Sequence, residues 1–263
     1  MNTTISSLSS PQTRMRTVAA FFVALLASPF AGAAPSLPER PVEIHQRLQT
    51  APHENAAALT LDACGGGFDA DILATLVALR IPATIFATRN WIDRHPEGVA
   101  ALKAHPELFV IEDHGAQHVP AVIGIDKRVY GLRGQPDIAH LHEEIEGGAN
   151  AITATGAPRP QWYRGATALY DRAAIRVINQ MGYRIAGFSV NADAGATLPR
   201  REVLARLLGV KSGDIIIAHM NKPASETAEA LQEALPILIQ RGVRFVTLRG
   251  REVLATGGDI KGR

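Results

Sequence analysis

The chain has 263 residues, of which 46% are hydrophobic, with 27 Lys and Arg against 25 Asp and Glu and a single cysteine. A chain of this length can bury a full core without disulfides, and one cysteine excludes an intrachain disulfide. The near-neutral charge argues against a nucleic-acid partner, because proteins that bind nucleic acid carry a marked basic surplus. Neutral glycans or glycopeptides suit this balance better.

The first 33 residues have the features of a secretory signal. Arg14 and Arg16 precede an apolar run over 18–27, and the small residues 31–33 offer a cleavage site. The run is shorter than the roughly 20 apolar residues that a membrane span needs. We therefore predict a signal peptide over 1–33, a secreted or periplasmic protein and no stable membrane span after cleavage; an uncleaved anchor is the alternative. Cleavage removes two cations and no acid, which leaves 25 charges of each sign.

Apolar strands and helices alternate along the rest of the chain. Residues 34–55 form a predicted lead-in segment, 56–250 a single domain and 251–263 a C-terminal tail. The predicted strands are 56–62, 82–87, 108–112, 184–190, 214–218 and 243–248. The predicted helices are 69–80, 96–104, 137–155, 170–182, 200–209 and 224–241.

Such alternation of strands and helices indicates a parallel sheet covered on both faces. Six or seven such units are few for a complete eight-stranded barrel. We therefore expect a distorted or incomplete (β/α) barrel, with a doubly wound open sheet as the alternative.

Chemically active residues follow three of these strands. Asp62 ends the first strand, and α/β folds place their chemistry at the carboxyl ends of strands. His114 and His118 follow the third strand with a spacing that, on a helical turn, lets two imidazoles bind one ion; a chance surface pair is the alternative. His219 ends the strand 214–218 just before a turn, and this position favours a catalytic histidine over one satisfied within the core.

Other residues near these strands have simpler interpretations. Cys64 directly follows a strand, but its local motif contains no histidine to activate it, so we interpret it as a buried small residue rather than a nucleophile. The glycines 65–67 lack the Lys-Ser/Thr of a phosphate-binding loop and indicate a tight turn. Arg164 is able to hold a carboxylate bidentately, and an ordinary surface arginine is the alternative.

Five motifs, in order along residues 55–250, resemble those of the polysaccharide deacetylases with a NodB-homology domain, carbohydrate esterase family four. The sequence 60–62, Thr-Leu-Asp, is similar to the start of the family's Thr-Phe-Asp-Asp motif, and 82–86 to its Pro-Ala-Thr-Phe-Phe strand. Residues 114–118 resemble the His-Ser/Thr-x-x-His metal motif. Tyr163-Arg164 resembles the Phe-Arg that opens the Arg-Pro-Pro-Tyr motif, and 216–219 resembles the closing hydrophobic-x-His motif.

The resemblance implies an exported hydrolase of carbon–nitrogen bonds that removes N-acetyl groups from a polysaccharide or glycopeptide. It implies that Asp62 is the general base, that His219 is the general acid and that Arg164 orients the base. His114 and His118 are the implied metal ligands. Zinc is the default ion for a histidine-rich site, with cobalt or another divalent ion as the alternative.

The sequence departs from the family pattern where a third metal ligand is expected. Ala63 stands in the place of the second Asp of the family motif, so Asp62 itself, water, Asp69 or Asp113 are the candidate replacements. Asp193 lies in a segment that only loosely resembles the family, and no role is assigned to it. A catalytically silent glycan-binding protein on the same fold, or a hydrolase of another carbon–nitrogen or ester bond, are the alternative functions.

Overall fold

The computed structural model describes residues 40–256. The predicted signal peptide over 1–33 lies outside the described residues, as does the end of the predicted tail. Among residues 40–256, no helix is both long enough and apolar enough to cross a membrane.

The described residues form fifteen strands and seven helices. The strands are β1 (Val42–Glu43), β2 (Gln46–Leu48), β3 (Ala56–Ala63), β4 (Ala83–Ala87), β5 (Phe109–Asp113), β6 (Pro120–Ala121), β7 (Arg128–Val129), β8 (Leu132–Arg133), β9 (Trp162–Tyr163), β10 (Ala166–Tyr170), β11 (Arg184–Ile185), β12 (Val190–Asn191), β13 (Ile215–His219), β14 (Arg244–Val246) and β15 (Val253–Ala255). The helices are α1 (Ala70–Ala78), α2 (Arg89–Arg94), α3 (Pro96–Lys103), α4 (Ile138–Ala154), α5 (Arg172–Gln180), α6 (Arg200–Leu208) and α7 (Thr227–Gln240).

Eight strands form the main sheet, in the order β11-β9-β5-β4-β3-β13-β12, and β14 pairs with the start of β3. Every pairing in this sheet is parallel. All eight residues of β3 are buried, as expected for a strand that is covered on both faces. The sheet curls into a half-barrel with helices around it, which confirms the predicted distorted or incomplete (β/α) barrel.

The six predicted helices are all present, with ends that differ by a few residues. Asp69, Asp137 and Asp171 accept backbone N–H groups at the starts of α1, α4 and α5, and such caps fix where a helix begins. Helix α2 was not predicted. It has six residues, too few to show a helical repeat of apolar positions, and it begins directly after β4 at the cap Thr88.

The predicted strand over 184–190 is wrong in its middle. The structure has two short strands there, β11 and β12, because the backbone between them pairs with the lead-in segment instead. Phe188 donates its N–H to the carbonyl of Ile44, and Gln46 donates its N–H to the carbonyl of Phe188. Strand β1 pairs with β10, and β2 pairs with β15 in the predicted tail. The described parts of the lead-in and the tail are therefore paired with other strands.

The register of the sheet brings distant residues to one edge. Asp62 lies opposite His219 on β13 and opposite Phe86 on β4. Asp113, the last residue of β5, lies opposite Tyr163 on β9. The residues that follow β5 and β9 are His114 and Arg164, so both reach the same carboxyl edge as Asp62 and His219.

Candidate active site

A cleft of about 620 Å³ opens at this carboxyl edge. Its lining includes Asp62, His114, His118 and His219, which are four of the five site residues predicted from the sequence. The fifth, Arg164, is fully buried and contacts Asp62 from the interior. The structure thus brings the five residues together, although 157 positions separate Asp62 from His219 in the sequence.

Arg164 holds one oxygen of Asp62. Its Nη1 donates to Asp62 Oδ1 at 2.7 Å and to Thr60 Oγ1 at 2.9 Å. The rest of the guanidinium donates to the carbonyls of Ala186 and Gly187, each at 3.3 Å. The predicted contact between Arg164 and Asp62 is confirmed, and the alternative of a surface arginine is excluded.

The second oxygen of Asp62 faces two imidazoles. Asp62 Oδ2 lies 3.7 Å from His114 Nε2 and 4.0 Å from His219 Nε2. Burial alone raises the pKa of Asp62, but the charge of Arg164 and the two histidines outweigh burial and hold the pKa below its ordinary value. Asp62 is therefore an ionised carboxylate whose free oxygen faces the cleft, which is what a proton acceptor requires.

His219 is oriented by Asp193. The distance from His219 Nδ1 to Asp193 Oδ1 is 2.8 Å, and the backbone N–H of His219 donates to Asp193 Oδ2 at 2.7 Å. Thr227 Oγ1 donates to the same Oδ2 at 3.2 Å. Burial lowers the pKa of His219, but the hydrogen bond to Asp193 and the charges of Asp193 and Asp62 raise it above its ordinary value. A protonated His219 with Nε2 directed at the cleft is able to donate a proton there.

Asp193 is the residue that the sequence analysis missed. It is fully buried, and its partner His219 lies 26 positions further along the chain. One signal is visible in the sequence, namely an acidic residue shortly after the apolar segment that ends in β12. No spacing rule links such a residue to a histidine on another strand.

His114 and His118 lie in the loop that follows β5 and not on a helical turn. Gly115, at φ 85°, and His118, at φ 65°, take left-handed backbone conformations that fold the loop. The two imidazole rings consequently lie 4.9 Å apart between centroids. Glu144 supports the loop by accepting the backbone N–H groups of Gln117 and Val119 at 3.0 Å. A left-handed conformation is costly for histidine, and such strain is typical of functional sites.

The pKa values of both imidazoles are lowered, which favours the neutral form that metal binding requires. His114 Nδ1 lies 2.6 Å from the carbonyl oxygen of Arg164, so Nδ1 carries the proton and Nε2 presents its lone pair to the cleft. Burial lowers the pKa of His114, and burial together with His114 lowers the pKa of His118 to about 3.

Cys64 lies in the cleft, so its interpretation as a buried small residue is corrected. It is partly exposed, and its Sγ lies 3.4 Å from His114 Nε2. The 50 positions between the two residues explain why the local motif showed no histidine. Burial and the charge of Asp62 raise the pKa of Cys64 well above its ordinary value, so the free group is a neutral thiol and not an activated nucleophile.

Cys64, His114 and His118 form the candidate metal cluster. Their ligand atoms, one sulfur and two nitrogens, all lie within 4.8 Å of one another. This donor set fits zinc, which sulfur and imidazole ligands favour. Two of the candidate replacements for the third metal ligand lie outside this cluster: one oxygen of Asp69 caps α1, and one oxygen of Asp113 accepts the backbone N–H of Gly115 at 2.8 Å.

An apolar wall borders the cleft. It includes Phe188 and two residues of the β7–β8 hairpin, Tyr130 and Leu132. Tyr130 is 81% exposed and Leu132 is 44% exposed. Tyr130 and Gly131 have φ values of 49° and 82°, which give the tight two-residue turn of this hairpin. A large, exposed aromatic ring at the tip of this hairpin is therefore available to a ligand.

Comparison with known proteins places this chain in a family. A family model described as polysaccharide deacetylase matches residues 49–186, more than half of the chain. No curated protein matches the chain.

Several solved structures share the fold. One is a carbohydrate esterase family four pseudoenzyme from Bacillus anthracis, at 16% identity and a TM-score of 0.62 over 75% of this chain; the chain covers only 65% of that protein. The Bc1960 peptidoglycan N-acetylglucosamine deacetylase is similar at 20% identity and a TM-score of 0.64, with 78% of this chain and 89% of that chain covered. A family four carbohydrate esterase from Streptomyces lividans, in complex with acetate, is similar at 18% identity and a TM-score of 0.61, with 78% and 98% covered. At these sequence identities, the solved structures show only that the fold is shared. The family model, in contrast, matches the sequence that includes Asp62, His114 and Arg164. On that match, the chain belongs to the polysaccharide deacetylase family.

Proposed function

We propose that this protein is an exported, metal-dependent hydrolase that removes N-acetyl groups from a glycan. The observation that carries the proposal is the pair of Asp62 and His219, whose facing atoms lie 4.0 Å apart. The pKa of Asp62 is lowered and that of His219 is raised, so between these two pKa values one residue is ready to accept a proton and the other to donate one.

The reaction divides between these two residues. Water attacks the amide carbon while Asp62 Oδ2 takes a proton from the water, with Arg164 holding Oδ1 in place. The carbon–nitrogen bond then breaks, and His219 Nε2 delivers a proton to the leaving amine. Asp193 fixes the ring of His219 for this transfer. The products are acetate and a free amino sugar.

His114 and His118 are the proposed metal ligands, as the resemblance implied. When bound, a divalent ion polarises the amide carbonyl. The cleft accommodates it because Nε2 of His114 is unprotonated and close to His118. Zinc is the proposed ion, with cobalt as an alternative.

A neutral sugar is the proposed substrate. The apolar wall of Tyr130, Leu132 and Phe188 offers a surface on which the face of a sugar ring can stack, since aromatic side chains supply large apolar area. The mature chain, with 25 charges of each sign, presents no strong attraction to a charged polymer. Likeness to a peptidoglycan N-acetylglucosamine deacetylase makes peptidoglycan one polymer to test.

A silent glycan-binding protein is the second candidate. The observations that favour it are Ala63, in place of the second Asp of the family motif, and the likeness to a pseudoenzyme. Against it stand the ionised Asp62 and the raised pKa of His219, which a binding surface does not require.

The test is acetate release from a panel of chitin oligomers, peptidoglycan and acetylated exopolysaccharides, with simple acetyl esters included and with or without added zinc or cobalt. We expect zinc- or cobalt-dependent release from at least one glycan, and loss of release in His219→Ala but not in His105→Ala, a partly exposed histidine outside the cleft. Binding of the same polymers without any acetate release supports a catalytically silent glycan-binding protein. Acetate release from the esters alone supports a hydrolase of ester bonds.

A further inference from the structure

The candidate metal cluster includes a sulfur that the sequence analysis left without a function. Strand β3 ends at Ala63, whose side chain is fully buried in the core, and the next residue places its thiol in the cleft. The hydroxyl of Thr88, the cap of α2, donates to the carbonyl of Cys64 and so fixes the backbone at this point. The thiol is therefore held beside His114 by the end of β3 and the start of α2.

We propose that Cys64 is the third protein ligand of the metal ion, together with His114 and His118. The proposal deepens the proposed function, on which it rests for the role of the ion. The sulfur of Cys64 thus takes the role of the metal-binding carboxylate that the family motif has at the position of Ala63.

The distances in the cluster match a tetrahedral site. Zinc bonds of about 2.3 Å to sulfur and about 2.0–2.1 Å to nitrogen, at tetrahedral angles, place the ligand atoms roughly 3.4–3.6 Å apart. The separation of Cys64 Sγ and His114 Nε2 is 3.4 Å, already within this range. No pair in the cluster is more than 4.8 Å apart, so the ligand atoms need to approach by at most about 1.4 Å to complete the site. Three protein ligands would leave a fourth position for water or substrate, as in catalytic zinc sites.

The surroundings of the cluster orient its ligands. His114 donates its Nδ1 proton to the carbonyl of Arg164. Metal-bound histidines commonly make such a hydrogen bond with the ring nitrogen that does not bind the ion. The loop that carries His118 is tied to Glu144 through the backbone N–H groups of Gln117 and Val119. The ring of His114 and the backbone of the loop that carries His118 are thus held by contacts that do not depend on the ion.

Asp62 is the competing third ligand. Its Oδ1 is bound by Arg164 at 2.7 Å, and its Oδ2 faces both His114 and His219. A carboxylate that gives its free oxygen to a metal loses the basicity that proton transfer needs. With Cys64 as the ligand, Asp62 remains available as the base, so one site holds both an ion and a free carboxylate.

Titration of the metal-free full chain with Co²⁺ tests the proposal without any activity assay. A thiolate ligand gives a near-ultraviolet sulfur-to-cobalt charge-transfer band, and Cys64 is the only cysteine in the chain, so the band has one possible source. We expect the band to saturate at one equivalent. Cys64→Ser should lose the charge-transfer band. It should also weaken Co²⁺ and Zn²⁺ binding by more than the roughly 10–100-fold that is lost when a hydrogen-bond partner of a metal ligand is removed. Asp62→Asn should keep the band, and this variant separates the two candidate ligands.

A second measurement needs no variant. Bound Zn²⁺ should protect Cys64 of the parent chain from alkylation by iodoacetamide, and a chelator should restore the reaction. One equivalent of bound Co²⁺ without the band, absence of Co²⁺ binding, or equal binding by Cys64→Ser would overturn the proposal. Acetate release without the band removes Cys64 from the site and leaves the hydrolase standing, whereas the band without acetate release retains the ligand and rejects the hydrolase.

Discussion

Replacement of Arg164 by methionine is expected to destabilise the protein in a way that depends on pH. The guanidinium is fully buried, and it donates to Asp62, to Thr60 and to two backbone carbonyls. Removal of one partner of a buried ion pair costs about 3–5 kcal/mol, because the other charge is left unpaired. That cost is a large part of the roughly 5–15 kcal/mol by which a domain is stable.

The sign of the pH dependence follows from Asp62. Its pKa is lowered in the folded parent, so its ionisation adds stability that is present above the ordinary pKa and is lost as the pH falls through the folded pKa. In Arg164→Met, the charge and the hydrogen bond of the guanidinium no longer oppose the effect of burial, so the pKa of Asp62 rises. The cost of the substitution should therefore be largest near neutral pH and should shrink as the pH falls through the ordinary range of an aspartate, about 3.9.

Urea unfolding at about pH 7 and about pH 4 measures this cost. Arg201→Met, at an exposed position of helix α6, is the matched control and should change stability by less than about 0.5 kcal/mol. Arg164→Lys keeps the charge without the fork of donors, and it should fall between the parent and Arg164→Met. A cost for Arg164→Met that equals the control, or that does not shrink on acidification, would refute the reasoning.

Three further outcomes are expected. The rate of acetate release should have a bell-shaped dependence on pH, because Asp62 with its lowered pKa sets the acid limb and His219 with its raised pKa sets the alkaline limb. Initial rates measured across pH test this expectation, and a rate that is independent of pH contradicts the assignment of Asp62 and His219 as base and acid. Asp193→Asn should move the alkaline limb to lower pH, because His219 loses the charge that raises its pKa; an unmoved limb, with unfolding excluded by circular dichroism, contradicts the positioning role. Tyr130→Ala should raise KM roughly tenfold with kcat little changed, since covering about 60 Å² of ring surface is worth about 1.5 kcal/mol; Tyr130→Phe is its control, and an equal KM in all three proteins excludes stacking on this ring.

The sequence predicted those parts of the fold whose pattern is local and long. Strands β3, β4, β5 and β13 are five to eight residues long and mostly apolar, and helices α1, α4 and α5 begin at capping aspartates. The site residues Asp62 and His219 were found because each ends such a strand, and the parallel register then places them side by side. The pairing of Arg164 with Asp62 was predicted from the resemblance to the family.

The remaining features depend on contacts between distant segments. Strands β1 and β2 have two and three residues, too few for any repeat, and they exist because partners elsewhere pair with them. Asp193 and Cys64 each meet a histidine that lies far along the chain. The loop of His118 depends on a left-handed backbone that its residue type does not favour. Such features follow from tertiary packing and leave little trace in one sequence.

Acetate release from an N-acetylated glycan, compared between the parent chain and Asp62→Asn at equal zinc content, tests the central claim most directly. The account predicts zinc-dependent release by the parent and a loss of about 10²–10⁴-fold in Asp62→Asn, the usual contribution of one positioned proton transfer. Asp93→Asn, at an exposed position of α2, should release acetate at the parent rate. Equal rates in the parent and Asp62→Asn, or no release by the parent from any acetylated glycan, would contradict the account.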